Sequence, residues 1–270
     1  LNGLTPVPQL IRKLLDAGLA ETIKLVNDLY CDDIGIIAIN FDTMLKVSNQ
    51  KAGREFLIRK NLSASILKNI KICSDAGYAK GVYVGLNVVD NICRSDEGKV
   101  AMKEADAPHI LSDVLDNFCD NDRITNMTAK IFSQIITKED FEKELDNLKN
   151  CGEKLQAQDT EENLEECKNS LALVSNLALV DELGKILCKK NNFDYLIKLF
   201  NKVNSLDLTN KPPGYIKHYI QLMRNFMNAF KRIFDYEPDC LDVKTKKGGE
   251  CKTLVKDIND CIKKNWEKTK

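Results

Sequence analysis

The stretch Gly81-Val-Tyr-Val-Gly-Leu-Asn-Val-Val-Asp-Asn-Ile-Cys93 has the pattern of the inner helix of a helical repeat. Related stretches lie on both sides of it, each built around a side-chain amide. These amides are separated by 42, 43 and 42 residues and belong to Asn49, Asn91, Gln134 and Asn176. A period of this length is typical of a helical solenoid. The sequence therefore predicts an all-α chain and makes protein binding the default role.

Alignment of the four stretches on their amides produces columns of similar residues. Two residues before the amide, every side chain is apolar: Val47, Val89, Phe132 and Val174. Five residues before it stand Met44, Leu86, Ala129 and Leu171, and one residue after it stand Gln50, Ile92, Ile135 and Leu177. Offsets of three and four mark one face of an α-helix, so we expect a buried stripe.

Two further columns extend the same register. Six residues before the amide, the side chains are all small, which predicts a close approach by a neighbouring helix: Thr43, Gly85, Thr128 and Ser170. Isoleucines recur at separations of 43 and 44 residues in the helices that precede each stretch: Ile23, Ile66 and Ile110. The isoleucine column was not used to set the register and supports it independently.

The composition is that of an ordinary water-soluble chain. Of its 270 residues, 43% are hydrophobic, and 40 basic residues balance 40 acidic ones. No global field therefore favours nucleic acid or a membrane surface. No apolar run approaches the roughly 18 residues that span a bilayer. Pro is rare and strand-like alternation is absent, as expected for an all-α fold.

The ten cysteines form no Cys-x-x-Cys pair, and neither His109 nor His218 has a cysteine at zinc-ligand spacing. We therefore predict no metal site and no cofactor. Three cysteines close second helices and are expected to be buried thiols: Cys31, Cys73 and Cys119. Three more near the C-terminus would allow a disulfide in an exported chain: Cys240, Cys251 and Cys261. A reducing compartment, the cytoplasm, is favoured, although the chain begins at Leu1 and targeting cannot be judged from that end.

The chain is expected to form a single solenoid of about five repeats with a C-terminal capping helix. Their approximate bounds are 5–50, 51–96, 97–137, 138–180 and 181–235, with a tail and cap at 236–270. The fourth repeat looks degraded, because Phe141 and Leu145 supply a first helix and the following residues, 151–166, are very polar. The fifth carries an insertion, residues 204–214, before its long third helix. The capping helix, residues 250–268, carries an apolar stripe that would cover the last repeat.

With three helices per roughly 42 residues, the chain resembles the armadillo-repeat family over about residues 5–235. The resemblance rests on Asp106-Ala-Pro108 before Ile110-Leu111, on Leu86 with Asn91-Ile92, and on Val174-Ser-Asn-Leu-Ala178. It implies a right-handed solenoid that binds extended peptides or proteins along a groove lined by its third helices. Nuclear-import adaptors of this family have a Trp four residues before the ladder Asn. Here those positions hold Leu45, Asn87, Lys130 and Ala172, which disfavours recognition of nuclear signals.

The amide ladder is the candidate binding site, because each amide offers donors and an acceptor to a ligand backbone. The groove residues predicted on this basis are Asn49, Asn91, Gln134 and Asn176, flanked by Asn87 and Lys130, with Phe41 and Tyr83 as pocket-forming aromatics. The alternative is that the amides cap or bridge neighbouring helices and the aromatics belong to the core.

No phosphate-binding loop or nucleophile motif appears. The carboxylate pairs in turns are expected to be solvated charge, as at Asp32-Asp33 and Glu161-Glu162. His109, beside Pro108, is expected to be a residue at the start of a helix. We therefore expect a non-enzymatic adaptor or scaffold for a protein partner, with no nucleic acid and no strong membrane signal. The alternative is a structural subunit permanently built into a large multiprotein assembly, for example a cytoskeletal, ciliary or organellar one.

Overall fold

The computed structural model describes residues 8–30 and 33–236. These residues form fourteen α-helices and no strand. The chain divides after Thr137 into two compact units. The helices of unit 1 are α1 (Pro8–Asp16), α2 (Leu19–Leu29), α3 (Ile34–Ser48), α4 (Lys51–Arg59), α5 (Ser63–Asp75), α6 (Ala79–Ile92), α7 (Asp96–Glu104), α8 (Ala107–Asn117) and α9 (Asp122–Ile135). Those of unit 2 are α10 (Lys138–Ala157), α11 (Glu161–Leu177), α12 (Asp181–Leu187), α13 (Lys190–Asn204) and α14 (Pro213–Tyr236).

Unit 1 is made of three successive sets of three helices. Helices that hold the same place in successive sets pack against each other: α3 on α6 and α6 on α9, α5 on α8, and α1 on α4 and α4 on α7. Within each set, the second helix also packs on the third. The third helices thus form one layer of unit 1, in the order predicted from the amide period.

The turns between first and second helices repeat at the level of the backbone. Each contains one residue in the left-handed conformation, Gly18 (φ 89°), Asn61 (φ 57°) or Asp106 (φ 62°). Glycine, asparagine and aspartate are the residue types that adopt this conformation at least cost. The three lie 43 and 45 residues apart, so the repeat extends to the turn geometry.

Two glycines are required where a first helix crosses the end of the preceding third helix. A Cβ atom on Gly53 would lie 2.0 Å from the carbonyl oxygen of Val47, and one on Gly98 would lie 2.0 Å from that of Ile92. No side chain fits at such a distance from the backbone. Each glycine follows the residue that it contacts by six positions, so the same crossing is built twice.

The predicted apolar columns are buried, with few exceptions. Met44, Val47, Leu86, Val89, Ile92, Phe132, Ile135, Leu171, Val174 and Leu177 are all at most 2% exposed. Ala129 and Gln50 are the half-buried members. Ile23 and Ile66 are buried in the second helices, whereas Ile110 is half-buried and its neighbour Leu111 is fully buried.

Unit 2 departs from the three-helix pattern. Residues 138–157, where a degraded first helix and a polar segment were expected, form the single 20-residue helix α10. The apolar residues Phe141, Leu145, Leu148 and Leu155 keep helical spacing and are all buried. Because this segment contains no proline, nothing in it forces a break. Helix α11 packs on both α10 and α14, and Phe193, Phe200, Phe226 and Phe230 form an aromatic core.

Some local predictions are corrected or lie beyond the described residues. Ser63 is the first residue of α5, after the N-cap Leu62, and its hydroxyl is buried without a hydrogen bond. Thr160 caps α11 at the predicted polar turn by accepting from the Asn163 N–H. The predicted capping helix, the three C-terminal cysteines and Cys31 lie outside the described residues.

The predicted close approach between helices can be tested at Gly85. A Cβ atom there would lie 2.5 Å from Ile70 on α5 and 2.9 Å from Phe41 on α3. Gly85→Leu should therefore overpack the junction and lower the free energy of unfolding by about 1–3 kcal/mol. Urea denaturation followed by circular dichroism measures this change.

The exposed position Lys80 on the same helix supplies the control. Lys80→Leu adds a similar side chain without entering the junction and should change stability by less than about 0.5 kcal/mol. Equal effects of the two substitutions would contradict the close approach at Gly85.

Candidate functional site

The predicted amides Asn49 and Asn91 meet at the ends of α3 and α6. The Nδ2 group of Asn91 donates to Oδ1 of Asn49 and to Oγ of Ser48, both at 3.0 Å. Asn91 is buried, whereas Asn49 is exposed. The Asn91 amide is therefore used in a bridge between neighbouring third helices, which is the alternative role considered for the ladder.

The next contact in the layer is organised by Asp90, a residue that the sequence pattern did not single out. Its carboxylate lies 2.8 Å from Nζ of Lys130 and accepts from Nε2 of Gln134 at 2.9 Å. Arg94 approaches the same carboxylate at 3.8 Å. The Asp90 side chain is only 6% exposed, and an ionised group at this depth needs such partners to offset its desolvation. Two predicted groove residues, Lys130 and Gln134, thus join α9 to α6.

A second polar network joins α2, α3 and α5 of unit 1 and was also missed. The Oδ1 atom of Asn27 accepts from Asn40 at 2.6 Å and from Asn69 at 3.0 Å, and its Nδ2 donates to Ser65 at 3.0 Å. Asn27, Asn40 and Asn69 are all buried. Asn27 and Asn69 are 42 residues apart, so the recurrence of asparagine at the repeat distance in second helices was the available signal.

The two predicted aromatics differ in position. Phe41 is fully buried and lies against the junction at Gly85. It is therefore a core residue and cannot line a pocket open to a partner. Tyr83 is half-buried on α6, and its carbonyl accepts from the side chain of Asn87, also half-buried, at 2.7 Å.

The fourth predicted amide, Asn176, lies on α11 in unit 2 and is buried. Unit 2 has two polar clusters of its own. In one, Asp159 contacts Lys211 and accepts from the Tyr215 hydroxyl, and Lys211 lies over the Tyr215 ring. In the other, His218 is 3.3 Å from Lys168 and 3.8–3.9 Å from Glu165 and Glu161. The first cluster joins the start of α14 and the loop before it to the turn before α11. The second joins α14 to α11.

Cys119, expected to be a buried thiol, is exposed, whereas Cys73, Cys93, Cys167 and Cys188 are buried. Burial raises the pKa of Cys73 to about 11 and that of Cys93 and Cys167 to about 12. Such thiols are poor nucleophiles near neutral pH, because the thiolate is the reactive form. Across residues 8–30 and 33–236, no three His, Cys, Asp or Glu side chains form a group able to hold a metal ion.

Exposed His109 contacts Asp106 at the start of α8, a local pairing that needs no catalytic role. In the part of the chain that the structure describes, no helix has both the length and the apolar character needed to cross a membrane.

Comparison with known proteins found no matching family model, no matching curated protein and no matching solved structure. The armadillo resemblance therefore stays a prediction based on the residues quoted above.

Asn91 and Asn87 form a matched pair for testing the bridge, since both are asparagines on α6. Asn91→Ala removes two hydrogen bonds between helices and should lower the free energy of unfolding by about 1–3 kcal/mol. Asn87→Ala removes a bond only within its own helix and should cost less than about 0.5 kcal/mol. Denaturant titrations of both variants measure the difference. If Asn91→Ala were as mild as Asn87→Ala, the bridge would have no structural importance.

Proposed function

We propose that the chain is a non-enzymatic adaptor or scaffold of the armadillo type that binds a protein segment along the layer of third helices in unit 1. The observation that carries the proposal is the set of bonds between successive third helices. Asn91 bonds to a residue 42 positions earlier, and Gln134 to one 44 positions earlier. A layer built by such a repeated contact is what a solenoid groove requires.

The exposed side of this layer remains chemically equipped for a ligand. Asn49 and Lys130 are exposed, and Tyr83 and Asn87 are half-buried. Together they offer amide groups, a cation and an aromatic ring on or at the end of the three third helices of unit 1. An extended segment needs this mixture, with amides for its backbone and the other groups for its side chains. Asn91 and Gln134 act in this proposal by holding the helices in register.

The surroundings of several thiols and of Asp90 support a non-enzymatic role. The buried thiols carry raised pKa values, and Asp90 is engaged in joining helices. Cys73, Cys93, Cys151 and Cys167 are unbonded thiols, which fits a reducing compartment such as the cytoplasm.

A second candidate is a subunit permanently built into a larger assembly, and exposed apolar residues on α2 favour it. Leu25 is 57% exposed and Leu29 is 65% exposed, one helical turn apart, with Tyr30 beside them. A permanent neighbour that covered these side chains would remove apolar surface from water.

Peptide selection tests the groove directly. A library of random peptides of about 12 residues, long enough to span about 40 Å when extended, is displayed against the purified chain. Selected peptides should photo-crosslink to α3, α6 or α9. Asn87→Arg, which places a large charged side chain on the exposed side of the layer, should weaken their binding by at least about tenfold.

The control is Lys68→Arg on α5, an exposed residue outside the layer of third helices, which should leave binding unchanged. Crosslinks confined to other helices, or equal effects of the two variants, would refute the groove.

Solution behaviour separates the two candidate functions. An adaptor should be a stable monomer by light scattering. A permanent subunit should associate or precipitate without its neighbours, and Leu25→Gln with Leu29→Gln should then restore solubility. A soluble monomer whose behaviour the double variant does not change would exclude the assembly role for α2.

A further inference from the structure

Two half-exposed cations converge on one buried carboxylate where α6 meets α9. Around the contact between α6 and α9, the cations are Arg94 and Lys130, and the carboxylate is Asp90. Arg54, on α4, donates to the carbonyls of Ser48 and Asn49 at the end of α3.

The two cations at Asp90 lie close together. Lys130 Nζ is 2.8 Å and Arg94 Nη2 is 3.8 Å from the same oxygen, Asp90 Oδ2. They are therefore at most about 6.6 Å apart. Each side chain is 53% exposed, whereas the carboxylate is buried beneath them. One buried negative charge thus faces two cations that remain open to solvent.

The Asp90 carboxylate already accepts hydrogen bonds from two side chains, whereas the Arg94 guanidinium donates none among the described residues. The Asp90 carboxylate binds Lys130 and Gln134 at hydrogen-bond distance. Arg94 has only the 3.8 Å ion contact among the described residues, so its guanidinium donors are available. A guanidinium binds a carboxylate through two parallel N–H donors, and an adjacent ammonium strengthens that site.

We propose that Arg94 and Lys130 form a carboxylate subsite, and that the partner segment is acidic where it crosses α6 and α9. This inference rests on the proposed groove function and specifies the chemistry of its ligand. A glutamate or aspartate side chain of the segment supplies the second negative charge. The adjoining exposed amide of Asn49, bonded through Asn91 to the same layer, provides a polar contact for the ligand backbone.

A protein segment suits this site better than a nucleic acid or an anionic membrane. Polyanion-binding surfaces spread many cations over a broad face, whereas here two exposed cations converge on one point and amides lie beside them. A single carboxylate on an extended backbone matches that arrangement.

The test uses a fluorescent peptide of alternating glutamate and serine, about 12 residues long, with the complete chain. The same peptide with glutamine or lysine in place of glutamate, and an oligonucleotide of equal charge, complete the set of probes. The acidic peptide should bind and crosslink to α6 or α9, and the glutamine peptide should bind at least about tenfold more weakly.

Arg94→Gln should weaken binding of the acidic peptide about 10-fold, and Arg94→Gln with Lys130→Gln about 100-fold. The charge-matched control is Arg12→Gln with Lys68→Gln, two exposed residues outside the layer, and it should have little effect. Arg94 makes no hydrogen bond to Asp90, so its single variant tests the subsite even if the double variant is unstable. Thermal denaturation identifies such instability.

Each contrary result has a distinct meaning. If neutral or basic peptides crosslink to α6 and α9 as well as the acidic one, the groove stands and the acidic subsite is overturned. If no peptide of any charge crosslinks to the third helices, the proposed function itself fails. Equal binding of the oligonucleotide, or equal losses in the site and control variants, would mean that the cations attract any anion nonspecifically. Either result would overturn the subsite.

Discussion

A buried carboxylate in an apolar layer of helices must be paired, and this requirement fixes the contact between α6 and α9. Asp90 is the only ionised side chain among the buried residues described. It obtains its partners from the other helix, Lys130 and Gln134. At the equivalent junction with α3, a buried amide, Asn91, meets Ser48 and Asn49. Apolar packing supplies most of the stability in such a fold, but these polar contacts tolerate little displacement and so define the register of the layer.

In this layer, some polar side chains join neighbouring helices and others remain exposed to solvent. Atoms directed between helices, such as the Asn91 amide and the Asp90 carboxylate, hold the layer together. Side chains that reach past them, Arg94 and Lys130 above all, remain half open to solvent. The proposed binding face is therefore a consequence of how the helices are joined. A partner that binds there would contact side chains carried by helices whose register is already fixed, which lowers the entropic cost of association.

Much of unit 1 could be predicted from the sequence because its repeats preserve helical spacing. The columns through Leu86 and Val89 identified the buried stripe, and the small residue Gly85 marked the junction. The period could not show which way a polar side chain is directed. Asn91 and Asn49 belong to one column, yet the first is buried and the second exposed, because the Asn91 amide reaches back to the preceding repeat and bonds Asn49 there. Phe41 was assigned to a pocket for the same reason, since spacing alone does not separate the core side of a helix from the adjoining edge.

Unit 2 was less predictable. Its segment 151–166 was noted only as very polar, but helix α10 extends into it as far as Ala157, where Leu155 continues the buried apolar spacing, and helix α11 begins at Glu161. Asp90 was missed because charge at a single repeat leaves no periodic signal. Its importance emerges only when Lys130, 40 residues later, is placed beside it.

The central claim, that buried polar contacts between third helices hold unit 1 in register, is tested most directly by a double-mutant cycle on Asp90 and Lys130. The variants are Asp90→Asn, Lys130→Met and their combination, each followed by urea denaturation. We predict a coupling free energy of about 1–2 kcal/mol, moderated by the half-exposure of Lys130. A parallel cycle on Asp90 and Lys68, which make no contact with each other, should give a value near zero. A coupling near zero for Asp90 and Lys130 as well would contradict the claim.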